Sequence, residues 1–168
     1  MTTRRKLILT SLSLLVLGGC AVTDSESLFS AAGRFSVIVR AANGQQESFN
    51  GRFSLRRTAT LTTLDLMTPL NGILARIEVT PSGATLMRNP DEEPLRAPTA
   101  EALMERALGF SLPPDALEDW LRMTQDQAEG WGWQVTVSER LANGLPKRIR
   151  AKRQTSEVAL SLTLLLDD

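Results

Sequence analysis

AEALMERALGFSLPPDALEDWLR, Ala100–Arg122, decides the architecture, because its apolar residues recur at helical spacing while those on either side of it alternate. Leu103, Met104, Ala107 and Leu108 fall on one helical face, Thr99 stands where an N-cap belongs, and Gly109 supplies a stop. A second helix begins after Pro113-Pro114, with Asp115 near its start and Leu117, Trp120 and Leu121 on one stripe.

Upstream, Phe35, Val37 and Val39 alternate with Ser36 and Arg40, although Ile38 interrupts the polar side. Phe49, Phe53 and Leu55 alternate with Asn50, Arg52, Ser54 and Arg56. Gly51 lies on that apolar face, which predicts a bend or a close backbone approach. TLTTLDLM (60–67) follows, and GILARIEV (72–79) sets Ile73, Ile77 and Val79 on one side before PSG turns the chain into ATLMR. NPDEEPLRAP (89–98) reads as turn and TQDQAEG (124–130) as a polar connection. Strands resume with GWQVTVSERL, LPKRIRAKR and EVALSLTLLLDD, joined by turns at Asn143-Gly144 and Gln154–Ser156. Such short turns cannot hold parallel crossovers, so the pairing is antiparallel. Strands, a helical insertion and more strands predict an α+β fold, mainly antiparallel β. Its sheet curls around the helices into a curved, incomplete barrel with a helical plug.

The chain opens on Arg4, Arg5 and Lys6, followed by an apolar run over 7–17 that ends in LLVLGGC, Leu14–Cys20. That run is too short to span a bilayer, which takes roughly 20 apolar residues, and reads as a secretory signal. Ala21–Ala32 reads as a tether, so residues 1–19 are expected to be a signal peptide, 20–32 an N-terminal tether and 33–168 a single domain. There is no histidine, which excludes a Ser-His-Asp triad and histidine metal ligands, and Cys20 is the only cysteine, which excludes an internal disulfide. Without its basic leader the chain is mildly acidic, which argues against nucleic acid. The absence of a Gly-x-Ser-x-Gly elbow argues against a lipid-modifying enzyme, and nothing resembles a nucleotide-binding loop.

Leu17-Gly18-Gly19-Cys20 resembles the lipobox of bacterial lipoproteins, in which the cut falls just before the cysteine and its thiol receives a diacylglycerol. The ordered set of that lipobox, GRFSV, TPLNGILARIEVTPSGATL, AEALMERALGFSLPPDALEDWLR, Gly132-Trp133, LPKRIR and the last apolar strand resembles the LolB family of outer-membrane lipoprotein receptors. The resemblance implies a half-barrel with a helical lid over an apolar cavity. It implies S-diacylglycerol and N-palmitoyl groups on Cys20, no cofactor or metal, and a lipid-anchored outer-membrane location with which Ala21 after the cysteine agrees. It implies a monomer whose partners are a LolA-like periplasmic carrier, acylated lipoprotein cargo and outer-membrane lipids. Candidate acyl-cavity residues are Phe35, Val37, Phe53, Leu64, Leu66, Leu86, Leu103, Leu108, Trp120 and Ile149, each of which could equally fill a closed core. Leu70, between a proline and an Asn-Gly turn, matches the family's exposed leucine that helps push cargo into the membrane. Leu55-Arg56 stands where an aromatic-Gln pair is common, tyrosine is absent, and Asp167-Asp168 ends a chain whose relatives often end in an aromatic strand. An alternative is an envelope assembly lipoprotein that binds partners through its sheet edge. The basic strand Lys147, Arg148, Arg150, Lys152 and Arg153 reads either as a solvated face or as an attraction to anionic headgroups or an acidic carrier.

Overall fold

A computed structural model of the chain describes residues 26–70, 72–88 and 91–167. Its elements are β1 (Phe29–Ala41), β2 (Gln46–Arg57), β3 (Thr62–Met67), β4 (Ile73–Thr80), β5 (Gly83–Met87) and β6 (Leu95–Ala97), then α1 (Ala100–Leu108) and α2 (Pro114–Leu121), then β7 (Gln127–Gly130), β8 (Trp133–Arg140), β9 (Pro146–Gln154) and β10 (Val158–Leu166). All ten strands form one antiparallel sheet in the order β6-β5-β4-β3-β2-β1-β10-β9-β8-β7. The helices connect β6 to β7, the two outer edges. The sheet must curl, because α2 touches both β3 and β9. With β2, β1 and β10 between them, those strands would lie about 19 Å apart in a flat sheet, against a helix about 10 Å wide. The antiparallel, incomplete barrel with a helical insert follows.

Alternation builds the inner face row by row. Ala31, Leu55, Leu64, Ile77, Leu86 and Leu95 sit side by side from β1 to β6. Val37, Leu162, Ala151, Val135 and Ala128 do so from β1 to β7. Leu103 and Met104 of α1, with Ala116, Leu117, Trp120 and Leu121 of α2, close over these rows as buried core. A Cβ on Gly51 would meet the Met67 carbonyl oxygen at 2.2 Å and the Phe35 ring at 3.0 Å. The close approach expected there is real, and it lets the ring of Phe35, opposite Gly51 in the register, lie over the glycine.

Two boundaries and two short strands differ from the sequence reading. β1 starts at Phe29 instead of Gly33, since Phe29–Ala32 pair with Ser54–Arg57; the ordered domain therefore takes in four residues assigned to the tether. β6 and β7 occupy stretches read as turn and polar connection. Pro114 is itself the first residue of α2, where its missing N–H costs nothing. Thr99 does cap α1, its hydroxyl accepting from Ala102 N at 3.2 Å, and Gly109 ends it at φ 76°.

α2 is clamped to β2 by charge. The Arg57 guanidinium donates to Glu118 at 2.5 Å and to Asp115, and Glu118 also accepts from Arg122 at 3.0 Å. Partial burial alone would lower the Arg57 pKa, but the two carboxylates raise it above its ordinary value. Arg122 in turn stacks 4.4 Å over the Phe29 ring, tying the early start of β1 to the helix.

Candidate acyl-binding cavity

Between the curled sheet and the helices lies a cavity of about 510 Å³, within the usual range for small-ligand sites of about 300–1,000 Å³. β1 supplies Phe35, Val37 and Val39 to its wall, and β10 supplies Leu160, Leu162 and Leu164. Phe53, Leu64 and Leu66 continue that wall across β2 and β3. Met104, Ala107 and Leu108 of α1, Phe110 and Leu112 of the connection, and Leu117 of α2 form the roof. Among the lining residues only Glu47 is charged. The chamber can hold something apolar but offers no general acid-base pair. Among the described residues, no group of three or more His, Cys, Asp or Glu side chains could hold a metal.

The mouth is marked by large apolar side chains in contact with water. Phe49, Leu74 and Leu108 all line the cavity yet are 54%, 49% and 45% exposed. Leu74 is there because of a bulge. Leu66 pairs with Ala75 but Met67 pairs with Ile73, so Leu74 is the extra residue and turns into the cavity. Ile73, expected on the same side as Ile77 and Val79, lies opposite Met67 and is not among the lining residues. Beyond it, Thr68 closes a neck, its amide donating to the Gly72 carbonyl at 2.8 Å and its hydroxyl accepting from the Gly72 amide at 3.0 Å. Leu70 stands past that neck, 93% exposed.

Of the ten cavity candidates, Phe35, Val37, Phe53, Leu64, Leu66 and Leu108 come together on the cavity surface. Leu86, Leu103, Trp120 and Ile149 do not, which corrects the reading of those four: they are buried in the closed core. Trp120 packs edge-on against Trp133 at 5.7 Å. Alternation reveals which face of a strand is apolar, not how far the roof stands above it. Phe49 and Leu164 were missed although they carried the alternation that could have found them, whereas Phe110 lies in the helix connection and Leu74 in a bulge, where alternation gives no signal. Cys20 lies outside the described residues.

The α1–α2 connection is pinned at the opposite wall. The Ser111 carbonyl accepts from the Trp133 indole Nε1 at 3.1 Å and from Arg153 Nη1 at 3.4 Å. In the basic strand, Arg148 pairs with Glu139 at 2.6 Å, while Arg150 and Lys152 are exposed.

The family model described as "Outer membrane lipoprotein LolB" matches residues 27–167, the whole sheet and both helices. The chain belongs to the LolB family. The LolB-named relative from Cupriavidus metallidurans, an "Outer-membrane lipoprotein LolB", is 37% identical over 160 residues, covering 80% of this chain and 77% of its own. That from Cupriavidus necator is 35% identical over 154 residues with the same coverage. A shorter match, to LolB of Bordetella petrii, is 40% identical over 113 residues, 64% of this chain and 56% of that one. Among solved structures, a LolA superfamily protein from Nitrosomonas europaea aligns with TM-score 0.40 and 10% identity over 83% of this chain and 86% of that one, a distant likeness. The family read from the ordered motifs is therefore borne out, and outer-membrane localisation goes with LolB membership.

Proposed function

We propose that this chain accepts acylated lipoproteins from a LolA-like periplasmic carrier and passes them into the outer membrane, as a lipid-anchored monomer and without ATP. The observation that supports this most is the roofed cavity of about 510 Å³ with a single charged residue in its lining. An acyl chain in water costs roughly 0.8 kcal/mol per methylene, about 10 kcal/mol for a long one. Apolar walls offset that cost with no bond made or broken, so the chain acts as a binder and not as an enzyme. An apolar chamber that opens through an exposed apolar rim also lets a bilayer reclaim the acyl chain. An apolar hollow favours this reading over the assembly-lipoprotein alternative, a ranking that a sealed core would reverse.

In this reading Cys20 carries diacylglycerol and palmitate and holds the domain at the membrane, since one acyl chain anchors only marginally and several hold firmly. Leu70 enters the bilayer surface during delivery. The test is to mix the purified protein with a carrier loaded with acylated lipoprotein, then add liposomes without nucleotide. Cargo should move to this chain and then to lipid. If the same cargo lacking its acyl groups moves equally well, or if the last step requires ATP, the reading fails.

A further inference from the structure

We propose that the mouth end of the sheet carries a second site, a cationic groove on the outer face that takes the phosphate of an anionic phospholipid headgroup. It rests on the receptor reading only in requiring the domain to work at a bilayer. The groove encloses about 560 Å³ where β1, β10, β9 and β8 run side by side. Register sets its walls. Arg40 lies opposite Ala159, itself opposite Gln154, and Ser161 lies opposite Lys152, itself opposite Gln134. Val39, the neighbour of Arg40, and Leu160, between Ala159 and Ser161, line the acyl cavity. Groove and cavity therefore lie back to back across the same strand ends.

Among the described residues no carboxylate pairs with Arg40, Lys152 or Arg153. Arg57, Arg76, Arg122, Arg140 and Arg148 each grip a carboxylate. By contrast, Arg40 donates to the neutral Gln46 Oε1 at 2.8 Å, and Arg153 to the carbonyls of Ser111 and Trp131. Arg40 and Lys152 bring two cations to the outer face, Arg153, opposite the inward-facing Leu160, adds a third at the groove's rim, and among the described residues the lining holds no carboxylate. Gln154 and Ser161 add polar groups beside them, while the Gln134 amide donates away from the groove to Glu129 at 3.5 Å. A phosphate diester, singly negative and rich in acceptors, matches that chemistry.

A membrane is favoured over an acidic protein by what shares this end. Arg52 pairs with Met67, so the loop that bears Leu70 leaves β3 at a level only three residues along β2 from Phe49, which marks the mouth. Apolar side chains that gain from lipid, set beside cations that gain from an anionic leaflet, are the combination that holds proteins at an interface. The groove would turn the mouth toward the bilayer, leaving the anchor only to keep it near.

The two lysines of β9 allow a direct test, since Lys147 lies five residues from Lys152, about 17 Å along the strand. The lipidated protein is reconstituted in phosphatidylcholine vesicles with or without phosphatidylglycerol, and amine acetylation is followed by mass spectrometry. Lys152 should be protected relative to Lys147 only when phosphatidylglycerol is present, and added salt should remove the protection. Arg40→Gln, at an exposed position, should weaken that docking about fivefold. Equal Lys152 rates in both vesicle types overturn the proposal. So does protection that appears only when carrier protein is added, which would make the groove a protein-docking surface. Acceptance of cargo from the carrier, measured without vesicles, reports the receptor role separately: its failure beside a normal Lys152 footprint strikes that role and not this site.

Discussion

Replacing Leu70 by glutamate separates taking cargo from delivering it. The side chain is 93% exposed beyond the Thr68–Gly72 neck, so it contributes almost nothing to the core. Substitution there should change folding stability by less than about 0.5 kcal/mol. It lies outside the cavity lining as well, so acceptance should be preserved. A leucine that moves from water into lipid gains about 2 kcal/mol, which corresponds to about thirtyfold in the rate of a step that depends on it. Glutamate forfeits that gain and adds the cost of bringing a carboxylate to the interface, so delivery should slow by at least that factor. The assay loads the variant from a carrier, confirms stoichiometric transfer of cargo, and then measures its appearance in liposomes. Delivery at the normal rate would show that the loop is merely a connection. Loss of folding would show instead that Leu70 packs against the barrel, contrary to its exposure.

Other perturbations test the frame. Gly51→Ala places a methyl 2.2 Å from the Met67 carbonyl oxygen; thermal unfolding should show a loss of about 3 kcal/mol, or about 10 °C. Glu118→Gln weakens the pairs with both Arg57 and Arg122. It should lower the urea midpoint by the equivalent of about 1–2 kcal/mol with the slope unchanged. Trp133→Phe keeps the aromatic packing on Trp120 but removes the indole donor to Ser111. A cost of about 1 kcal/mol should accompany it, with faster amide exchange in the α1–α2 connection.

The parts of this architecture that were legible are those in which side-chain periodicity is the whole signal. Phe35-Val37-Val39 and Phe49-Phe53-Leu55 marked long, half-buried strands, and Thr99 with Gly109 bracketed α1 correctly. β6 and β7 were missed because edge strands of three and four residues carry few apolar positions and are kept mostly in contact with water. The early start of β1 was hidden in Ala31 and Ala32, whose small side chains give no alternation even though Phe29 packs under Arg122. In the site, Ile149 and Leu66 look alike in sequence, yet one is sealed in the core and the other lines a chamber. The distance between sheet and helices, which tells them apart, is a long-range property with no local trace. Ile73 was misplaced because a single extra residue in β4, Leu74, shifts the phase of every neighbour on one side of it.

The first and last strands of the chain meet at the middle of the sheet, with Gly33 beside Leu166 and Ala41 beside Val158. For a polypeptide that emerges amino terminus first, this makes assembly a timed event. Until Val158–Leu166 arrive, β1 to β6 and β7 to β9 are two apolar ribbons, each with an open edge where the seam should be. Pairing across nearly the full sequence separation is slow, and the waiting halves are prone to aggregate. Completion therefore waits for Val158–Leu166, and a chain cut short within β10 loses the join between the halves along with a single strand.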